Sequence, residues 1–139
     1  MRTQYLLDTN ICAFLLRGKY HVNEAINKVG LENCFISEIT ALELKIGAEL
    51  SAQRDGVNRM DSLNRFLDAI NILPISNALD MAAKEKVRLR LNGTPLDDDF
   101  DLLIGCTAIV NDMVLVTENV KDFKNLQDIQ MENWIRRNN

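Results

Sequence analysis

The sequence is poor in residues that break or staple a chain. Two prolines and six glycines in 139 residues leave little room for long linkers or low-complexity tracts, and no internal repeat is visible. Three cysteines, Cys12, Cys34 and Cys106, are odd in number and lack C-x-x-C spacing. A disulfide framework and a zinc site are therefore both disfavoured, and buried thiols in a reducing cytoplasm are expected. His21 is the one histidine, expected at the surface. No G-x-S-x-G, P-loop or H-E-x-x-H motif occurs, which removes the common nucleophile-elbow, nucleotide-cradle and zinc-protease chemistries. No apolar run approaches the ~18 residues of a membrane span. Residues 1–8 meet an aspartate after two leucines, unlike a secretory signal. An excess of base is also missing: the net charge is -4 and the pI is near 5.0, against a nonspecific nucleic-acid binder.

What is present reads as an ordinary globular chain, 47% hydrophobic and 26% charged, long enough for one domain over 1–139 with a sizeable core. Positive residues cluster at Lys84, Lys86, Arg88 and Arg90, at Arg17 and Lys19, and at Arg136 and Arg137. Such runs are more often solvated helix faces than phosphate contacts.

Strands are expected at 4–7, 34–37, 71–75 and 113–117, with a last short one at 129–131 and Trp134 packing behind it. Helices are expected after Asp8-Thr9-Asn10 up to Gly18, over 23–29, over 39–53 up to the Asp55-Gly56 break, over 58–70, from Ser76 or Asn77 to about Asn92-Gly93, and over 102–110. Pro74 marks the third strand as an edge or a strand end. This alternation predicts an α/β fold, a mostly parallel central sheet flanked by helices on both faces. Ligands of such sheets lie beyond the carboxyl ends of the strands. Asp8 follows the first strand and Thr117-Glu118-Asn119 the fourth, while Glu43 and Asp101 lie on helices. Residues far apart in the chain are thus candidates for one pocket.

Acid is what the sequence concentrates. Asp97, Asp98, Asp99 and Asp101 abut Leu102-Leu103-Ile104, and like charges this close repel unless a cation is shared. Mg²⁺ and Mn²⁺ take oxygen ligands. A divalent cation lowers the pKa of an attacking water and offsets charge on phosphate, so phosphodiester hydrolysis is the natural chemistry.

The same residues carry a resemblance. "LLDTN" at 6–10, "ISEITALEL" at 36–44, "GTPLDDDFDLLIGCTA" at 93–108 and "LVTENVKDF" at 115–123, closed by Glu132-Asn133-Trp134, resemble in order and spacing the PIN-domain ribonucleases, most of all the VapC toxins of toxin–antitoxin pairs. The resemblance covers nearly the whole chain. It implies a PIN-like fold, Mg²⁺- or Mn²⁺-dependent endonucleolytic cleavage of RNA, often tRNA, and a VapB-type antitoxin as partner. The implied catalytic and metal-binding acids are Asp8, Glu43 and Asp101, with Asp98, Thr117, Glu118, Asn119 and Asp122 as auxiliary candidates. Many PIN domains carry an acid where this chain has Asn119, and that amide brings no charge for a second metal. A homodimer is expected chiefly from the family, with the apolar helices "ICAFLL" and "MDSLNRFLDAI" as candidate partner surfaces.

Blander readings stand beside these. Asp8 suits the N-cap of the first helix. Asp97, Asp98 and Asp99 suit a cap and first turn, and for Asp97 and Asp99 that reading is preferred. Thr117 suits either orientation of a ligand or a turn cap. Phe123 and Trp134 read as core, and Gly105 as close helix packing. Thr40-x-x-Glu43 fits a capping box, although Ser37 can cap the same helix one turn earlier and leave Glu43 free; the latter is favoured. Other classes fit less well. A receiver domain needs an aspartate ending a central strand, where "NILPIS" ends in serine. A haloacid-dehalogenase phosphatase needs an acid where Asn10 stands. A non-catalytic PIN-fold RNA- or protein-binding module remains the alternative.

Overall fold

The computed structural model describes residues 2–137. Five strands form one parallel sheet: β1 (Tyr5–Leu7), β2 (Cys34–Ser37), β3 (Asn71–Leu73), β4 (Val114–Val116) and β5 (Met131–Glu132), in the order β3-β2-β1-β4-β5. Seven α-helices connect or follow them: α1 (Thr9–Leu16), α2 (Val22–Val29), α3 (Glu38–Asp55), α4 (Met60–Ala69), α5 (Leu79–Leu91), α6 (Asp99–Val110) and α7 (Val120–Phe123).

Side chains alternate across a strand, so each central strand feeds two cores. Leu6, Phe35 and Leu115 face one layer, with Ala82 and Leu89 of α5 and Leu102, Ile104 and Cys106 of α6. Leu7, Cys34, Ile36 and Val116 face the other, with Ile11 and Cys12 of α1, Val22 and Ile26 of α2 and Leu63 of α4. Helices therefore cover both faces, as the alternation of elements predicts. All three cysteines are buried and unpaired. Among the described residues no helix is long and apolar enough to cross a membrane.

Several boundaries differ from the sequence reading. β3 stops before Pro74, on the sheet edge, because proline offers no N–H to a ladder. The last strand is Met131–Glu132 rather than 129–131, and Trp134 packs on Tyr5 with centroids 5.2 Å apart. Neither Ser76 nor Asn77 caps α5. They form a 3₁₀ turn, Ser76–Ala78, that feeds the helix from Ala78 with no side-chain cap. α6 begins three residues before the expected start, since Asp98 caps it and brings Asp101 into its first turn. Gly105 is where α6 meets α7: a Cβ there would overlap Leu126 Cδ1 and lie 3.2 Å from Phe123 Cδ1. Phe123 is fully buried, a core residue.

A strand-order reversal falls between β1 and β4. The chain builds β2 and β3 outward on one side of β1, then β4 and β5 on the other. The crevice beyond the carboxyl ends of β1 and β4 is the place such sheets use for ligands.

Candidate active site

Asp8 leaves β1 directly into that crevice. It is 3% exposed, and both its oxygens are held: Oδ1 accepts from the Thr9 backbone N–H at 2.8 Å, and Oδ2 from the Thr117 hydroxyl at 2.8 Å. Asn10 Nδ2 lies 3.4 Å from Oδ2. Asp8 thus does cap α1, and the same carboxylate lies within reach of the charges of Glu43 and Asp122. Its pKa is raised, first by burial, then by the charges of Glu43 and Asp122, while the bonds from Thr117 and Thr9 oppose the shift. The Thr117 oxygen also accepts from the Asn119 N–H at 3.0 Å. That bond folds the turn after β4 against Asp8.

Ser37, fully buried, caps α3 by accepting from Thr40 N–H at 3.2 Å. Glu43 is therefore free of a capping box and lies one turn inside the helix. Its Oε1 accepts from the Thr9 hydroxyl at 2.6 Å, and Thr9 Oγ1 lies 3.1 Å from the buried Thr40 Oγ1.

α6 is anchored in the core by Leu102, Ile104, Gly105, Cys106, Thr107 and Ala108, while Asp99 and Phe100 in its first turn are exposed. Asp98, not Asp97 or Asp99, is the cap, with Oδ1 accepting from Phe100 N–H at 2.9 Å and Asp101 N–H at 3.2 Å. Asp99 pairs with Lys86. Asp101 points its charge at company. Its carboxyl is pushed up to about 7, by burial first and then by Asp98, Asp8, Asp122 and Glu43. A helix N-terminus ordinarily favours a carboxylate; here desolvation and four like charges win. The structure thus places Asp8, Glu43, Asp98 and Asp122 close enough to Asp101 for their charges to act on it.

Other auxiliary candidates are placed elsewhere. Both oxygens of Glu118 go to Arg137, whose Nη2–Oε1 distance is 2.7 Å, and the pair lowers the Glu118 pKa. Arg137 also donates to the Tyr20 hydroxyl and lies over the Phe14 and Tyr20 rings. Glu118 is neutralised there and is absent from the charges acting on Asp8 and Asp101. Asn119 is exposed and holds the turn through its backbone. Asp122, from the same motif, is the acid that reaches the cluster.

The donor set suits a hard divalent cation, since every side chain is an oxygen donor. Among the described residues no three acidic, histidine or cysteine side chains converge on a single liganding point. Mg²⁺ commonly keeps several waters and takes only one or two carboxylates directly. The clustered charge that raises Asp101 is also the charge a cation would relieve.

Beside Glu43, a cleft of about 290 Å³ opens between α1, α3 and α4, with Thr9, Arg17 and Arg59 among its lining residues. Of the positive residues picked out in the sequence, Lys86, Arg88 and Arg137 are instead engaged in ion pairs. Arg88 grips Glu85, 3% exposed, through two bonds of 2.6 and 2.8 Å and donates to the Asn125 carbonyl. Sequence reasoning missed Thr9, Thr40 and Arg59. The only signal for Thr9 was its place in "DTN", read as a cap.

Comparison with known proteins agrees with this fold. The PIN domain family model matches residues 5–129. "Ribonuclease VapC2" of Rickettsia felis is 30% identical over 135 residues, covering 94% of this chain and 97% of that one. "tRNA(fMet)-specific endonuclease VapC" of Salmonella typhimurium is 29% identical over 133 residues, with 94% and 98% covered. Among solved structures, a DNA-bound VapBC complex from Salmonella typhimurium superposes with a TM-score of 0.82 at 29% identity, covering 95% of this chain and 98% of that one.

Proposed function

Because the chain belongs to the PIN-domain family, among relatives that are VapC ribonucleases, we propose that it is the toxin of a VapBC-type pair, an endoribonuclease using Mg²⁺ or Mn²⁺. The observation that carries the reading is the clustering of acids from distant parts of the chain: Asp8 and Glu43 are joined through Thr9, and the charges of Asp8, Glu43, Asp98 and Asp122 act on Asp101. Asp8, Glu43 and Asp101 would hold the cation, with Asp122 as the fourth acid in place of Asn119. When bound, the cation supplies a more acidic attacking water and offsets charge on the phosphate. The chain's own work is placement. Thr117 and the Thr9 N–H fix Asp8, the Thr9 hydroxyl fixes Glu43, and α6, anchored in the core, presents Asp101. Arg17 and Arg59 beside the acids would attract the RNA backbone.

tRNA is the substrate class we favour, since one relative is named for tRNA(fMet). Its site of action would be the cytoplasm. A VapB-type antitoxin as partner is supported by the toxin–antitoxin complexes among the structural relatives. For a homodimer, the support lies on helices other than those singled out in the sequence. Most apolar residues of α1 and α4 pack within the chain. Leu79, Val87 and Leu91 of α5 are 51%, 55% and 80% exposed, and Leu42, Ile46 and Leu50 of α3 are 45%, 45% and 49% exposed. Stripes of this kind mark interaction faces. Purified protein incubated with total tRNA should cleave it with Mn²⁺ and not with EDTA. No cleavage under either condition would favour the non-catalytic binding module, and equal cleavage in EDTA would overturn the metal dependence.

A further inference from the structure

We propose that Thr9 is the positioning residue that couples two acids of the centre; the inference rests on the metal-dependent reading above. The two couplings use different atoms. The Thr9 backbone N–H holds Asp8 Oδ1 at 2.8 Å, and its hydroxyl holds Glu43 Oε1 at 2.6 Å. A threonine hydroxyl has one proton to donate and two lone pairs to accept with. At 2.6 Å from a carboxylate that proton belongs to Glu43, as a charge-assisted bond. The 3.1 Å contact between the Thr9 and Thr40 hydroxyls must then run the other way, Thr40 donating and Thr9 accepting. Thr40 is fully buried, with no water to compete for its proton. The relay is directional: Thr40 orients Thr9, and Thr9 orients Glu43.

The arrangement answers a geometric need. Glu43 sits on α3 with three side-chain torsions between backbone and carboxylate, whereas Asp8 is pinned next to β1. Thr9 opens α1 and reaches across to α3, so one residue sets both acids against a common frame. Glu43 Oε2 has no partner among the described bonds and stays free for the cation. Groups that orient metal ligands in this way commonly change metal affinity about 10- to 100-fold when removed.

The two arms separate by mutation, because a side-chain change leaves the backbone N–H on Asp8. Thr9→Val keeps size and branching but deletes the hydroxyl. Mn²⁺ binding to the apo protein is measured by calorimetry, beside cleavage of tRNA and melting in EDTA. Thr9→Val is expected to bind Mn²⁺ about 10-fold more weakly, and Thr9→Ser to restore the affinity. Thr40→Val should show a smaller loss. Since Thr9 acts through Glu43, adding Thr9→Val to Glu43→Gln should change Mn²⁺ affinity no further. Wild-type Mn²⁺ affinity in Thr9→Val, or additive losses in the double variant, would overturn the assignment while leaving the nuclease reading intact. A wild-type protein that neither binds Mn²⁺ nor cleaves would overturn both. If Thr9→Val proves unfolded in EDTA, Thr9→Ala paired with Thr9→Ser gives the same comparison, and equal Mn²⁺ affinities in that pair would equally refute it.

Discussion

Substituting Asp101 by asparagine removes one charge from a pocket where four other acids already act on it. The Asp101 carboxyl is raised from its ordinary 3.8 to about 7, and each pH unit corresponds to about 1.4 kcal/mol. Without screening, the ionised side chain would destabilise the metal-free fold by about 4 kcal/mol. Asp101 is partly exposed, and solvent screening brings the expected figure to roughly 1–2 kcal/mol. The folded carboxyl holds its proton more tightly than the unfolded one. Wild-type stability is therefore undiminished below about pH 4, declines between about pH 4 and pH 7, and bears the whole penalty above that. Asp101→Asn escapes it. In EDTA the variant should be more stable than wild type by roughly 1–2 kcal/mol at alkaline pH, with the gap closing as the pH falls toward about 4. Urea unfolding followed by Trp134 fluorescence reads this directly. Added Mn²⁺ should reverse the order, because a ligand stabilises the form that binds it, and the variant should not cleave RNA. A variant less stable than wild type at alkaline pH in EDTA, or a gap that widens on acidification, would refute the reasoning.

Glu43→Gln should melt like wild type in EDTA yet lose cleavage and most of the stabilisation by Mn²⁺; Ser37→Ala should instead lose about 1 kcal/mol as a deleted cap. Gly105→Ala should lose about 1–3 kcal/mol in urea unfolding, since its Cβ meets Leu126 and Phe123 in a packed core. Arg88→Ala strips the partner from buried Glu85, whose carboxyl Arg88 and the Gln127 N–H hold below its ordinary value. Its melting temperature should fall at neutral pH. The deficit should narrow as the pH falls below the ordinary glutamate range and Glu85 becomes protonated, since the pair then no longer contributes.

The sheet and its parallel sense were readable because they rest on local signals, apolar runs ended by turn residues, whereas the choice of Asp8, Glu43 and Asp101 rested on the order and spacing of the PIN-like motifs. The strand-order reversal then brings Asp8 and Thr117 together from 109 residues apart. What the sequence did not disclose depends on distant partners. Thr9 looks like any cap residue until Glu43, 34 residues on, appears beside its hydroxyl. Glu118 looks as able as Asp122 to join the acids, and only the fold gives it to Arg137. The long α3 carries apolar residues on two faces. Leu44 and Ala48 turn inward while Leu42, Ile46 and Leu50 turn out, and periodicity alone does not say which face meets the core. At α5 the sequence offered Ser76 and Asn77 as caps, but the 3₁₀ turn made one unnecessary.

The order β3-β2-β1-β4-β5 has a consequence for a chain emerging from the ribosome. β1 is made first yet ends in the middle of the sheet, so one of its edges waits unpaired until β4 is synthesised. Open edges invite the wrong neighbours, and the long wait is the kinetic burden of contacts between distant residues. For a nuclease that would attack its host's RNA, the same delay is protective. Asp8 has no Thr117 to hold it, and no Asp101 beside it, until most of the chain has left the exit tunnel. A nascent or prematurely terminated fragment ending before β4 carries Asp8, Glu43 and Asp101 but lacks the strand and the Thr117 that hold Asp8, so the proposed centre and the finished fold would arrive together.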